Sequence, residues 1–330
     1  MNYLTSQHLR NIGTSLQIEP GVLDRAVLIH RRITSQNTKR GVVFTLAHLA
    51  HLTGVHYNYL RMCIGDPGLL SYREFFIKKS ISGRTKGKKA PSRPMRRICV
   101  PAPMLMLVQR WILHRILHTA AGHEASVAFH KDADIKKTAK LHCGCKWLIK
   151  LDVRDFFESI SEEKVFKVFD GLGYPRLLSF ELTRLCTKVL EPSKRTASRN
   201  TRLANIQRGP YEDDGFIDER IPRRQRQEAD VLSHRRVLPQ GAPTSPLLAN
   251  LAVFDMDEEI MHIAAQHGMV FTRYADDIAL STKRADFTRD EASKVIGKVY
   301  AASRRPDLSR TPARLASERP ARSRSYWVWS

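Results

Sequence analysis

A chain of 330 residues has room for two or three packed units sharing a large core, so folds that depend on disulfide or metal staples are excluded. Lys and Arg number 55 against 33 for Asp and Glu, and the formal charge of +22 calls for a polyanionic partner rather than a neutral small molecule. Five cysteines, two of them crowded at Cys143 and Cys145, and no signal-peptide pattern at Met1 to Thr5 suit reduced thiols in a cytoplasm; no apolar run approaches the roughly 20 residues that cross a bilayer.

From Ser15 to about Leu60 apolar residues recur at helical spacing, as Val22, Ala26, Ile29 and Ile33, then Val42, Leu46, Leu49 and Ala50. Within this helical opening, LAHLAHLTGVHYNYL predicts a helix, a glycine turn at Gly54 and a second helix. A DNA-reading helix-turn-helix is written the same way. The second helix, however, offers His56, Tyr57, Asn58, Tyr59 and Leu60 rather than a basic reading face, which favours packing.

Two extended runs, YREFFIKK and MRRICVP, flank a Gly-, Ser-, Pro- and Lys-rich stretch that reads as a mobile basic flap. Leu105, Val108, Ile112 and Ile116 then form one helical stripe with Arg110 and His114 off it. CKWLIKLDV is a short apolar strand that ends on Asp152. Residues 193–234 turn to Arg, Gln, Asp and Glu with little periodicity and read as a surface insertion; beyond Tyr300 an Arg-, Pro- and Ser-rich tail reads as unfolded.

Three segments carry the chemistry. In LDVRDFF the strand-end carboxylate of Asp152 lies at a sheet edge, with Asp155 and two phenylalanines following. In FTRYADDIALS the runs Phe271 to Tyr274 and Ile278 to Ser281 flank a tight turn holding Asp276 and Asp277. Between them, LPQGAPTSPLLANLAVFDMD offers Gly241 for close backbone approach to a ligand, Ser245 as a helix cap, Pro246 for the first turn, and an amphipathic helix through Leu247, Leu251 and Phe254. Strand elongation by phosphoryl transfer needs two divalent cations about 4 Å apart on hard oxygen ligands. Asp152 and Asp276 would bridge them, with Asp277 in support. Lys78, Lys79 and Arg96 would meet the triphosphate, Gln240 and Gly241 would face the nucleotide, and Phe157 under the sugar would exclude a 2′-OH.

These residues resemble the reverse transcriptases, and within them the bacterial retron type. YADD at Tyr274 to Asp277 resembles the catalytic hairpin, LDVRDFF the first metal-binding strand, and LPQGAPTSP the template and nucleotide turn; order and spacing also match, and LTRLCT before the third motif fits the retron style. The resemblance covers roughly Ser71 to Ser281. It implies an α/β right-hand polymerase: a helical N-terminal region at 1–70, fingers at 71–145, a palm at 146–300, and a basic disordered tail at 301–330 where a thumb is expected. It further implies Mg2+ (or Mn2+), dNTPs, a structured noncoding RNA as template and primer, an RNA–DNA hybrid product, an effector protein encoded nearby, and a role in antiphage defence in the bacterial cytoplasm. Lys86, Lys88, Lys89, Arg110 and Tyr274 are the expected RNA contacts.

The chain departs from that pattern twice. Where retron enzymes carry Asn-Ala-x-x-His, it has Thr138-Ala139-Lys140-Leu141-His142. No thumb motif is legible after Tyr300, although a suitable choice of codons for Ser325 to Trp329 reads, one nucleotide on, as the missing Val-Thr-Gly. The alternatives are a catalytically impaired, RNA-binding remnant, a group II intron or diversity-generating enzyme, and a DNA-binding regulator. His142, Cys143 and Cys145 lack the second ligand pair a structural zinc needs, and Asp255 and Asp257 are expected at the surface.

Overall fold

The computed structural model describes residues 5–65, 72–78, 95–129, 133–189 and 235–303. Four helices open the chain: α1 (Ser6–Ser15), α2 (Pro20–Thr34), α3 (Leu46–Thr53) and α4 (Tyr57–Gly65). The Thr45 hydroxyl caps α3 by accepting the His48 N–H, and Gly54, left-handed at φ 67°, ends it. Leu60, Cys63 and Ile64 of α4 are buried, as the packing reading of this helix pair requires.

The predicted stripe of α2 is kept at Ile33 and displaced by one residue before it. Leu23, Val27, His30 and Ile33 are buried whereas Val22 is exposed. Apolar residues occupy both rows, and α1 selects between them: a Cβ on Gly13 would come within 2.4 Å of a Leu23 methyl, so that glycine leaves the space Leu23 fills.

Strands β1 (Tyr72–Lys78) and β2 (Met95–Pro101) pair as an antiparallel hairpin, with Tyr72 opposite Pro101 at its base and Lys78 opposite Met95 at its far end. Helix α5 (Pro103–Arg115) buries Leu105, Val108 and Ile112 as its periodicity predicts, and its Gln109 amide donates to Tyr72 Oη and to the Leu185 carbonyl, tying the hairpin base to the body. Helix α6 (Ile135–Leu141) leads into β3 (Trp147–Asp152), the one-turn α7 (Phe156–Ser159), α8 (Glu162–Gly171) and α9 (Arg176–Cys186).

The short strands β4 (Lys188–Val189) and β5 (Arg236–Val237) pair antiparallel, so the two ends of the segment holding the predicted 193–234 insertion meet. Buried Arg236 fixes this junction, donating to the Arg184 and Thr187 carbonyls. The insertion itself, most of the predicted flap and the tail after 303 lie outside the described residues.

The single helix expected after LPQGAPTSP is two, α10 (Ser245–Ala252) and α11 (Phe254–Gln266), broken at Val253. Ser245 is not the cap: it is the first helical residue, and its hydroxyl donates to the Pro239 carbonyl at 2.7 Å, closing the loop on itself. Strands β6 (Val270–Tyr274) and β7 (Asp277–Thr282) and helix α12 (Arg289–Ser303) complete the described chain.

The central sheet is antiparallel in the order β3–β7–β6. Residues 125–127 run beside β6 on its open edge, with Arg273 N–H donating to Ala125 and Val127 N–H to Arg273. Strand alternation divides the side chains. Ile149, Leu151, Phe271, Ile278 and Leu280 enter a core that also receives Ile33, Leu49, Val108 and Leu182 from the helices, so opening helices and sheet share one apolar interior. Lys150, Asp152, Asp277 and Tyr274 stand on the other face.

Candidate active site

Asp152 and Asp277 are direct partners across β3 and β7. Residues opposed in an antiparallel pair have Cα atoms about 4.5–5.5 Å apart and side chains on one face, so the two carboxylates belong to the same patch. Asp276 sits in the two-residue turn joining β6 to β7, and its carbonyl accepts the Val153 N–H at 2.9 Å. All three predicted acids therefore meet at one end of the sheet. Asp277 is the first residue of β7 rather than part of the turn; Ala275 and Asp276 form the turn, with Ala275 at φ 54°, a conformation a residue bearing Cβ adopts only when its surroundings impose it.

Electrostatics match this crowding. Burial pushes the Asp277 carboxyl above its ordinary value, the neighbouring Asp276 pushes the same way, and Lys150 draws it down. Lys150 is two residues before Asp152 and on the same face of β3. Among the described residues no three His, Cys, Asp or Glu side chains stand ready as a chelating group, so the fit to a divalent ion is judged on backbone register and donor chemistry. Three carboxylates on one patch, two in mutual repulsion, are hard oxygen donors whose charge a divalent cation would match. They fit.

The other expected site residues are distributed more widely. Phe157 on α7 is half-buried, edge-on to buried Phe156 at 5.6 Å, just beyond left-handed Asp155. Tyr274 is exposed beside the acids, with the Phe129 ring 6.2 Å away. Lys78 and Arg96 are exposed on the β1–β2 hairpin, and Arg110 is exposed on α5. Lys79, Lys86, Lys88 and Lys89 lie outside the described residues.

Gly241 has a structural reason of its own: at φ 109°, an added Cβ would lie 2.8 Å from Ile98 Cγ2 and 3.1 Å from the Cys99 carbonyl oxygen, while the residue stays exposed. The Gln240 carbonyl accepts the Cys99 N–H at 2.7 Å. The Gln240–Gly241 turn is thus the seat of the β2 strand, joining the hairpin to the loop before α10.

Asp257 corrects an expectation. It is fully buried, and both its oxygens accept from Arg273, Oδ1 from Nε at 2.7 Å and Oδ2 from Nη2 at 2.6 Å. Asp255 is exposed, as expected. Arg273, between Phe271 and the YADD turn, was legible as a warning: alternation puts it on the core face, where a guanidinium requires an acid. His142, the histidine of the Thr138 to His142 stretch, is no zinc ligand among the described residues: its Nδ1 pairs with Ser281 Oγ at 2.7 Å and Nε2 with Thr272 Oγ1 at 2.8 Å, pinning the end of α6 across β6 and β7.

A family model described as reverse transcriptase (RNA-dependent DNA polymerase) matches residues 86–304, most of the chain and all three acids. The chain belongs to the reverse transcriptase family. Members of this family use divalent metal ions, and the α/β arrangement is that of polymerase fingers and palm. Among curated proteins, the chain is similar to the retron Ec86 reverse transcriptase of Escherichia coli, 32% identical over 199 residues covering 60% of this chain and 48% of that one. It is 28% identical to the retron Mx162 reverse transcriptase of Myxococcus xanthus over 190 residues, covering 58% and 33%. To the retron Ec83 reverse transcriptase of Escherichia coli it is 26% identical over 220 residues, covering 66% and 59%. The match thus spans between a third and three fifths of these relatives' lengths. No helix among the described residues is long and apolar enough to cross a membrane.

Proposed function

We propose that this chain is an RNA-directed DNA polymerase of retron type, with fingers at 71–145 and palm at 146–300. The observation that carries the reading is the register opposing Asp152 to Asp277 with Asp276 in the adjoining turn. Asp152 and Asp276 would hold two Mg2+ ions, with Mn2+ as a substitute, and Asp277 would support them. When bound, the ions supply a more acidic attacking hydroxyl and neutralise charge on the departing pyrophosphate.

The chain's own residues set where this happens. Val153 N–H holds the Asp276 carbonyl, and through it the turn, against the end of β3. Phe157 under the sugar would disfavour ribonucleotides. Lys78, Lys79 and Arg96 would counter the triphosphate, with Gln240 and Gly241 lining the nucleotide side through the hairpin they seat. Lys86, Lys88, Lys89, Arg110 and Tyr274 would hold the RNA. By the resemblance of its motifs to retron enzymes, the reading extends to a structured noncoding RNA as template and primer, an RNA-linked DNA product, an effector protein encoded nearby and a role in antiphage defence.

Extension of a primed RNA template with dNTPs and Mg2+ tests the reading. Incorporation that falls to background in Asp276→Asn is the expected result. Tight RNA binding with no incorporation by the unsubstituted chain would replace the polymerase reading with that of an RNA-binding remnant.

A further inference from the structure

We propose that Arg273 is a positioning residue that fixes the carboxylate turn from inside the core; the proposal rests on the polymerase reading above. Both peptide planes flanking Asp276 are tethered. On one side, Arg273 Nη1 donates to the Ala275 carbonyl at 2.9 Å. On the other, the Asp276 carbonyl accepts from Val153, the residue after Asp152. Asp276 is held between them, and the left-handed Ala275 before it is the kind of backbone that persists only when neighbours over-determine it.

The guanidinium is itself fully specified. Nε and one Nη2 hydrogen go to Asp257, and the other Nη2 hydrogen to Ser126 Oγ at 3.1 Å. The Nη1 hydrogens go to Asn250 Oδ1 at 3.0 Å and to Ala275. All five donors of the fork are used, with the Phe156 ring 5.6 Å away on one side. Lysine, with three donors on a flexible stem, cannot reproduce this set. Asn250 is on α10 and Asp257 on α11, so the helices after the Gln240–Gly241 turn and the acids after Arg273 share one rigid joint. If the pair served stability alone, an apolar core of similar volume would do as well or better. The Ala275 carbonyl gives it a second purpose that an apolar core lacks.

The test compares the unsubstituted chain with the double variant Arg273→Met, Asp257→Leu and with the single variant Arg273→Lys. Each is followed by thermal unfolding, by single-nucleotide incorporation on a primed RNA template, and by Tb3+ luminescence as a metal-binding readout. A misplaced ligand set lowers kcat by about 100-fold, with KM for dNTP changed about twofold or less. The half-saturating Mg2+ concentration rises and Tb3+ binds at least about fivefold more weakly, a change well within reach of one distorted ligand. A double variant that melts as the parent does, with parental kcat and Mg2+ dependence, overturns the proposal. Should that variant fail to fold, parental kcat in a folded Arg273→Lys does the same. If the parent chain does not incorporate nucleotides, the polymerase reading fails separately. Tb3+ affinity then decides the positioning role, and equal affinity in parent and Arg273→Lys overturns it.

Discussion

The two faces of the β3–β7–β6 sheet hold the same side-chain chemistry under opposite conditions. On the outer face Asp152, Asp276 and Asp277 gather, and the Asp277 carboxyl is raised by burial and by its neighbour. On the inner face Asp257 is more deeply buried still, yet both its oxygens and all five donors of Arg273 are matched. Burial alone therefore does not make an acid reactive. What separates the faces is how the charge is answered: Asp257 meets a bidentate guanidinium, whereas at Asp277 burial and Asp276 outweigh the opposing pull of Lys150, and the outer patch still favours added cations.

Asp257→Ala probes this contrast with the largest expected effect. It strands a buried guanidinium, at a cost of about 3–5 kcal/mol, measurable by denaturant unfolding. A loss below about 1 kcal/mol would mean the inner pair is no better matched than a surface one, and the distinction between the faces would break.

Gly241→Ala comes next, because it disturbs the seat joining the hairpin to the loop before α10 without touching either face. Its φ of 109° and the 3.1 Å approach to the Cys99 carbonyl predict a loss of about 1–3 kcal/mol. Parental stability in this variant would show that the turn is free to move away from β2.

His142→Ala removes two hydroxyl contacts from the outer face at the end remote from the acids, a loss of about 1–2 kcal/mol near pH 8. Burial holds the His142 imidazole below its ordinary 6.5. A lowered folded value gives stability that is present above 6.5 and lost as pH falls, so the difference between parent and variant should narrow on acidification. A constant difference from pH 8 to pH 5 would remove the titration from the account.

Much of this was readable beforehand, and what was not has physical causes. The β1–β2 hairpin, the α5 stripe and the strand ending on Asp152 follow from local periodicity, which the structure repeats. The three acids were found because their motifs carry their spacing with them. Asp257 was misread because helical geometry says only that it points away from Asp255; that it points at Arg273 is a tertiary fact. That β2 also lies against Gly241 was not legible, because the strand is far away in sequence. The shifted part of the α2 stripe has the same origin, since the packing of Leu23 against Gly13 is a contact between helices and not a property of the α2 text. His142 was weighed for zinc by its sequence neighbours, while its actual partners, Thr272 and Ser281, are over a hundred residues on.

The smallest effect tests the outer face directly. Asp277 has its folded value raised above the ordinary 3.8, burial being the largest cause, Asp276 adding to it and Lys150 opposing it. A raised folded value means that the native state holds the proton more tightly than the unfolded chain. The stabilising contribution is therefore complete below 3.8 and is lost as pH rises through the folded value. In chelator at neutral pH, Asp277→Asn should melt higher than the parent by about 1–2 °C, and the gain should vanish below about pH 4. Mg2+ should reverse the order, because an ion that binds only the native carboxylates stabilises the parent by mass action and leaves the amide behind. An Asn variant that melts lower in chelator would mean that Asp277 is already matched by a fixed partner, as Asp257 is. The two faces would then differ in exposure alone, and the outer patch would have no unmet charge with which to hold a metal.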